Sequence, residues 1–333
     1  MNKPDQMYDK KVLITGAGGF IGSHLTERLV EIGARTRAFI RYNSRNDWGM
    51  LELLPPDKLR EVDVITGDLR DSDAVRHAAE GIDIIFHLGS LIAIPYSYIH
   101  PREAIETNIM GTLNVLTAGK ENNVQRVVHT STSEVYGTAQ YVPINEDHPL
   151  HGQSPYSASK IGADMLAESF YRAYSLPVGT IRPFNNFGPR QSARAVIPTI
   201  ITQALTVEQL HLGSLSPTRD FTYVDDTAAA FIRASQAPDF VGQTINVGSN
   251  FEISVGDIAE KVMSILGIKK EIITDSGRIR PENSEVDRLW CDNAKALELL
   301  GWEPETSFEE GLKTTTTWIS DNISLYKSEI YNV

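Results

Sequence analysis

One glycine-rich turn, placed between an apolar strand pattern and a helical pattern, limits the folds open to this chain more than any other segment. The apolar run 12–14 predicts a strand, residues 20–32 have helical spacing, and Gly16, Gly19 and Gly22 lie on the turn between them. Gly16 allows a tight turn, Gly19 lets a pyrophosphate approach the backbone, and Gly22 lets the helix pack close to the sheet. The pattern predicts a dinucleotide-binding loop; the alternative is a turn with a purely structural role.

The first half of the chain alternates short apolar runs with helical patterns. Strands are predicted over 12–14, 36–40, 62–66, 82–88, 126–130 and 178–182, and helices over 20–32, 102–122 and 154–174. Strands this apolar are buried on both faces, which is typical of a parallel sheet covered by helices. We therefore predict an α/β fold: a Rossmann-type doubly wound parallel sheet with a smaller C-terminal α/β lobe that binds substrate.

The sequence becomes rich in turns after Pro183. We predict a dinucleotide-binding domain over 1–183 and a mostly substrate-binding lobe over 184–333. A helix predicted from about residue 223 indicates that 223–250 returns in part to the first domain.

Composition narrows the functional classes. Asp and Glu number 43 against 31 Lys and Arg, and the resulting net charge of −12 disfavours nucleic acid and anionic membranes as partners. No apolar run approaches the ~20 residues that cross a bilayer, and residues 1–11 lack an apolar signal region. The single cysteine, Cys291, excludes a disulfide framework. We expect a cytoplasmic protein without a metal site.

The end of the second predicted strand bears on the choice of cofactor. No carboxylate follows it, while Arg41, Ser44 and Arg45 could hold a 2′-phosphate, which favours NADP over NAD. The alternative is two solvated surface arginines. Asp68 could reach the adenine amino group, or it could cap the helix that begins near Ser72. The other residues assigned to the cofactor site are Phe20, Ile21, Leu69, Leu88, Tyr156, Lys160 and Pro183.

A tyrosine and a lysine share one face of the helix that Ser154 and Pro155 open. Tyr156 and Lys160 stand at positions i and i+4. A phenol is a poor base at neutral pH, but an adjacent ammonium and a cationic nicotinamide lower its pKa. With Thr132 and its neighbours at the end of a predicted strand, the pair indicates oxidation of an alcohol by hydride transfer. The alternative is an ordinary exposed helix pair.

These motifs resemble the extended short-chain dehydrogenase/reductases that act on nucleotide sugars. The likeness covers nearly the whole chain and includes the segments 182–185, 188–190, 219–221, 280–281 and 300–302. It implies that Thr132 hydrogen-bonds the substrate 4-hydroxyl beside Tyr156. It also implies that Asn185, Arg219 and Arg280 hold the substrate diphosphate, with Arg194 as a further substrate-binding residue.

Glu134 separates the subfamilies. A 4-epimerase needs only the tyrosine, a Ser or Thr, and the cofactor, whereas a 4,6-dehydratase also needs a base for the C5 proton. Glu134, two residues beyond Thr132 on one side of a predicted strand, is placed for that role; the alternative is an exposed carboxylate. Ser133-Glu134 differs from the Asp-Glu of dTDP-glucose dehydratases. It resembles GDP-mannose dehydratases and UDP-glucuronate decarboxylases, so either Ser133 or Glu134 is the acid for water loss.

Segments 42–49, 92–98, 138–143, 152–156 and 191–198 resemble the dehydratases of legionaminic acid biosynthesis. The likeness implies a 4,6-dehydratase of GDP- or UDP-N-acetylglucosamine, with NADP, or alternatively NAD, tightly bound and regenerated in each turnover. The alternatives are a nucleotide-sugar 4-epimerase, a UDP-glucuronate decarboxylase and a non-catalytic NADP-binding sensor. Relatives pair through helices like those around 102–122 and 154–174, which implies a homodimer or tetramer.

Overall fold

A seven-stranded parallel sheet dominates the computed structural model, which describes residues 6–92, 94–279, 281 and 284–327. The strand order places the first strand between the second and the fourth, and the fourth strand at the centre. The strands are β1 (Lys11–Thr15), β2 (Arg35–Arg41), β3 (Asp63–Gly67), β4 (Ile84–His87), β5 (Arg126–Thr130), β6 (Val178–Pro183) and β10 (Thr244–Val247).

Helices cover both faces of this sheet. One face carries α1 (Phe20–Glu31) and α9 (Val224–Gln236); the other carries α3 (Ser72–Ala78), α6 (Gly111–Glu121) and α7 (Pro155–Tyr174). Side chains of β1 alternate between the two layers: Val12 and Ile14 pack into the first core, and Leu13 packs into the second. The predicted doubly wound α/β fold is confirmed.

The predicted elements of the first half are all present. The helix predicted over 102–122 comprises α5 (Pro101–Ile105), a π-helical turn over Glu106–Met110, and α6. Ser154 caps α7 as predicted, since its hydroxyl accepts from the Ser157 amide and Pro155 takes the first helical position. Shorter helices are α2 (Pro56–Leu59), α4 (Ile94–Ile99) and α11 (Ala294–Leu300). Within the described ranges, none of the helices is long and apolar enough to cross a membrane.

A smaller sheet forms around β9 (Thr218–Tyr223). β9 pairs with β7 (Asn185–Phe187), β11 (Glu252–Ser254) and β13 (Arg288–Leu289). A further pair joins β8 (Leu210–Leu212) to β12 (Ile272–Thr274), and a separate apolar core lies among α8 (Val196–Thr206), α10 (Val255–Leu266) and α12 (Phe308–Asp321). The domain boundary at residue 183 stays a prediction; α9 and β10, both within 223–250, lie with the first sheet.

The strand order determines where a ligand can enter. From β1 the chain runs outward through β2 to β3, and then crosses to β4 on the other side of β1. The loops that follow β1 and β4 therefore diverge and leave a crevice at the carboxyl edge of the sheet, where open α/β sheets bind their ligands.

Candidate active site

The glycine loop forms a close-packed cradle at this crevice. Gly16 has a φ of +73°, and a Cβ there would lie 2.7 Å from the backbone nitrogen of Gly89. A Cβ on Gly22 would lie 2.2 Å from the carbonyl oxygen of Gly16, to which the Gly19 amide also donates. α1 begins at Phe20 without a side-chain cap, so its first amide N–H groups are available to phosphate. The cradle fits the pyrophosphate of a dinucleotide.

The segment after β2 folds back across the glycine loop. The Met50 amide donates to the carbonyl oxygen of Gly18 over 2.9 Å. Arg41, Ser44 and Arg45 lie along this segment with exposed side chains. The three residues that the sequence predicts at the cofactor-facing edge therefore lie together in the structure.

The Asp68 carboxylate forms an ion pair with its neighbour Arg70. Its carboxylate accepts from the Arg70 amide and from two nitrogens of the guanidinium, and this pairing lowers the pKa of Asp68. The alternative role as a helix cap is wrong, because Asp71 caps α3 by accepting from the Asp73 and Ala74 amides.

Phe20 and Ile21 open α1, and the other three predicted cofactor residues lie at or just beyond the carboxyl ends of strands. Leu69 packs against Gly89, the Leu88 amide donates to the carbonyl of Thr15, and Pro183 is buried at the end of β6. All three therefore lie at the carboxyl edge of the sheet, where open α/β sheets bind their ligands.

Tyr156 and Lys160 are both buried, in the first two turns of α7. The Lys160 ammonium donates to the carbonyl of Thr130 over 2.6 Å. Burial lowers the pKa of Lys160 to about 8, against the opposing charge of Asp164. Burial raises the pKa of the Tyr156 phenol, while a hydrogen bond with Thr132 lowers it. The sequence predicts a lowered pKa for Tyr156, but the protein groups by themselves raise it, since burial outweighs the other effects.

The placement of Glu134 on a strand is wrong. Residues Ser133–Tyr136 form a 3-10 helix, in which the Thr132 hydroxyl accepts from the Glu134 amide and Gly137, with a φ of +65°, ends the turn. The turn nonetheless gathers the predicted groups. Thr132 hydrogen-bonds Tyr156, the charge of Glu134 raises the pKa of that phenol, and Ser133 is buried beside them.

The residues predicted to bind substrate differ in their burial and in their hydrogen-bond partners. Asn185, on β7, has a buried side-chain oxygen with no partner among the described residues. Arg219, on β9, donates to two backbone carbonyls and lies 3.3 Å from Glu285. Arg194 is exposed, and Arg280 lies outside the described residues. Their substrate-binding roles stay predictions.

A buried polar cluster beneath Lys160 was not predicted. Asp164 stands one helical turn beyond Lys160 and accepts from Ser131 over 2.7 Å and from Arg182 over 3.0 Å. His129 lies 3.1 Å away on β5. The spacing of Tyr156, Lys160 and Asp164, four residues apart on one helix face, was the signal in the sequence that could have found it.

Comparison with known proteins identifies the family. A family model described as GDP-mannose 4,6 dehydratase matches residues 13–315. Over 320 residues the chain is 33% identical to a trifunctional UDP-glucose 4,6-dehydratase, UDP-4-keto-6-deoxy-D-glucose 3,5-epimerase and UDP-4-keto-L-rhamnose reductase of Arabidopsis thaliana. That match covers 94% of this chain and 47% of the plant protein, so the chain spans about half the length of this relative.

Solved structures of two nucleotide-sugar enzymes superpose closely. The dTDP-glucose 4,6-dehydratase DesIV of Streptomyces venezuelae, determined with NAD bound, has a TM-score of 0.84 at 28% identity, over 95% of this chain and 98% of that chain. The UDP-N-acetylglucosamine 4-epimerase of Methanobrevibacter ruminantium, in complex with UDP-N-acetylmuramic acid, has a TM-score of 0.85 at 30% identity, over 95% and 100%. The resemblance to extended short-chain dehydrogenase/reductases is confirmed.

The buried Lys160 predicts a pH-dependent difference in stability between the wild type and Lys160→Met. The folded-state pKa of about 8 lies below the ordinary lysine value of 10.5, so between these values the unfolded chain binds one more proton and stability rises with pH. Below pH 8 both states are protonated and the buried charge costs the wild type about 3 kcal/mol. Lys160→Met should therefore be the more stable form at pH 7, with an advantage that falls by about 2–3 kcal/mol by pH 10.

Urea unfolding at a series of pH values measures this difference. Lys313→Met, which removes an exposed lysine of α12, is the matched control and should show no comparable trend. A constant difference between Lys160→Met and the wild type would contradict the assignment of a strongly buried ammonium.

Proposed function

Because this chain belongs to the GDP-mannose 4,6-dehydratase family, we propose that it is a nucleotide-sugar 4,6-dehydratase, a lyase that converts GDP- or UDP-N-acetylglucosamine to the 4-keto-6-deoxy sugar. The observation that carries the proposal is the position of Glu134, half-buried and close enough to Tyr156 for its charge to raise the pKa of the phenol. Oxidation at C4 alone does not require a carboxylate at this position.

Oxidation at C4 relies on three side chains. Thr132 orients the 4-hydroxyl, and Tyr156 accepts its proton while the hydride leaves C4. The bound nicotinamide cofactor supplies the acceptor for that hydride and its later donor. Lys160, one helical turn from Tyr156 on α7, would favour the ionised phenol through its positive charge, whereas burial opposes ionisation.

Loss of water relies on the 3-10 turn. The C5 proton is acidic once C4 is a ketone, and Glu134 removes it. The C6 hydroxyl leaves as water with the proton that Glu134 took from C5, delivered by Glu134 directly or through the Ser133 hydroxyl, which Glu134 reprotonates. The hydride then returns to C6, and the proton held by Tyr156 returns to C5. The sugar loses one water and the cofactor ends each turnover in its starting state.

A 4-epimerase is the second candidate, favoured by the likeness to the Methanobrevibacter ruminantium enzyme. That activity needs Thr132, Tyr156 and Lys160 but leaves Glu134 without a role. A UDP-glucuronate decarboxylase would also use Ser133 and Glu134, and a non-catalytic NADP-binding sensor would need only the cofactor crevice. The place in legionaminic acid biosynthesis stays a prediction.

Mass spectrometry after incubation with GDP-, UDP- and dTDP-linked hexoses and with UDP-glucuronate separates these functions. We expect a product lighter by one water from GDP- or UDP-N-acetylglucosamine, and in heavy water one solvent deuterium at C5. An isomer of unchanged mass would identify an epimerase, loss of carbon dioxide a decarboxylase, and no product from any sugar the sensor.

Substitution of Glu134 tests its role directly. Glu134→Gln should reduce dehydration by about 10²–10⁴-fold, since general-base catalysis contributes on that order, and should abolish deuterium uptake at C5. Glu121→Gln, an exposed carboxylate at the end of α6, is the matched control and should retain wild-type turnover. Unchanged turnover in Glu134→Gln would exclude the proposed mechanism.

We also propose NADP as the cofactor, with NAD as the alternative. Arg41 and Arg45 support it, with side chains 73% and 85% exposed beside the glycine loop. Each lies 3.7–3.8 Å from a carboxylate, but exposed pairs of this kind contribute little and leave the guanidinium free for a phosphate.

The double variant Arg41→Ala/Arg45→Ala should weaken NADPH binding by about tenfold or more, because charged hydrogen bonds to the 2′-phosphate are lost. NADH binding should change little. Calorimetric titration of the stripped protein measures both affinities. Arg35→Ala, an exposed arginine at the opposite end of β2, controls for the loss of charge. Equal weakening of both cofactors would argue for NAD.

We propose that the protein is a homodimer or tetramer. Ile105, Met110 and Met165 support it, since they are 46–47% exposed on neighbouring turns of α5, the π turn and α7. Sedimentation should give at least twice the chain mass of 36.9 kDa. Met165→Arg should lower that mass, whereas Leu297→Arg, at a slightly more exposed site on α11, should not. A monomeric wild type would refute the proposal.

A further inference from the structure

A fully buried carboxylate lies behind the catalytic pair, outside the roles assigned above. Asp164 is 4% exposed and stands one helical turn from Lys160 on α7. It accepts hydrogen bonds from the Ser131 hydroxyl and from two nitrogens of Arg182, and His129 lies 3.1 Å from its other oxygen. These contacts hold the buried carboxylate in one orientation.

The charges around Lys160 come from several elements. Tyr156 and Asp164 stand four residues before and after it on α7, and Glu134 lies near the phenol on the 3-10 turn. Burial lowers the pKa of two histidines near Lys160, so both are neutral. They are His87 on β4 and His129 on β5. Arg182 on β6 completes the cluster.

The charge balance of this cluster favours ionisation of Tyr156. The two cations, Lys160 and Arg182, face the single deeply buried anion, Asp164, and leave one net positive charge. A phenolate at Tyr156 would neutralise that charge. Without Asp164 two buried cations would remain, and Lys160 would lose its proton because a guanidinium does not.

We propose that Asp164 is a positioning residue for the reaction: its clamped carboxylate keeps Lys160 protonated where it donates to the carbonyl of Thr130. The inference rests on the proposed roles of Tyr156 and Lys160, which a dehydratase and an epimerase share. A neutral Lys160 amine could still donate to Thr130, so loss of Asp164 removes the charge beside Tyr156 while the hydrogen bond remains.

The pH profile of turnover by the cofactor-loaded enzyme tests the proposal. Asp164→Asn should move both limbs of the profile to lower pH by about one unit or more, since loss of a nearby negative charge favours deprotonation of Lys160 and of Tyr156. Ser131→Ala removes one neutral hydrogen bond to the same carboxylate and should leave both limbs in place. A lower maximum with unmoved limbs would indicate a purely structural role and overturn the proposal.

Substitution of Arg182 tests the opposite shift of the pH profile and, combined with Asp164→Asn, the restoration of the net charge. Arg182→Met removes one of the two cations that balance the Asp164 carboxylate, so it should move both limbs of the pH profile to higher pH. Asp164→Asn/Arg182→Met restores one net positive charge and should return the limbs towards the wild type. If Asp164→Asn does not fold, the double variant is compared with Arg182→Met instead. The double variant leaves no unpaired buried guanidinium. If the limbs of the pH profile lie at the same pH in the wild type and in all of these variants, the proposal is overturned.

A titration that needs no turnover separates this inference from the proposed function. Carbon-13 NMR of lysine-labelled holoenzyme, with Lys160 assigned by its loss in Lys160→Arg, should show Lys160 deprotonating at lower pH in Asp164→Asn than in the wild type. Such a shift without any dehydrated product would support Asp164 and refute the dehydratase. Dehydration with an unshifted Lys160 titration would do the reverse.

Discussion

Seven parallel strands end at one edge of a single sheet, and the candidate site depends on that convergence. The glycine loop follows β1, Arg41 ends β2, Asp68 follows β3, and the 3-10 turn follows β5. Because parallel strands require crossover helices, their carboxyl ends all face the same side, and residues far apart in the chain meet there. The close approach of Gly16 to Gly89 brings the loops after β1 and β4 into contact where they leave the sheet, before their crossovers diverge.

α7 brings the proposed reactive groups, Tyr156 and Lys160, to this edge, and their burial there affects their ionisation. Its first turns bury Tyr156 and Lys160, and burial opposes ionisation of both: it raises the pKa of the phenol and lowers that of the ammonium. A site that must form a phenolate therefore needs a buried positive charge nearby. In the proposed mechanism Lys160 and Arg182 supply that charge, and Asp164, which pairs with Arg182, limits it to one net unit. The electrostatics of the site thus belong to the helix and the strands behind it as much as to the groups that meet substrate.

Local signals explain which predictions succeeded. Ser154 and Pro155 open α7 through contacts within four residues, so the helix and the shared face of Tyr156 and Lys160 followed from sequence alone. The strand placement of Glu134 failed because the 3-10 turn depends on one hydroxyl, that of Thr132, and on the positive φ of Gly137, neither of which disturbs an apolar pattern. The capping role considered for Asp68 is filled by Asp71, three residues later.

By itself the sequence determined the fold class, the glycine loop, the helix that carries Tyr156 and Lys160, and the family. Periodicity, capping and motif spacing are short-range properties, so they can be recognised in the order of the residues. Only the tertiary structure decided that Asp164, His129 and Arg182 form one buried cluster beneath Lys160, and that burial raises the pKa of Tyr156. Those properties depend on solvent exclusion and on distances between residues on β5, β6 and α7. Both arise only when the strands and helices pack together.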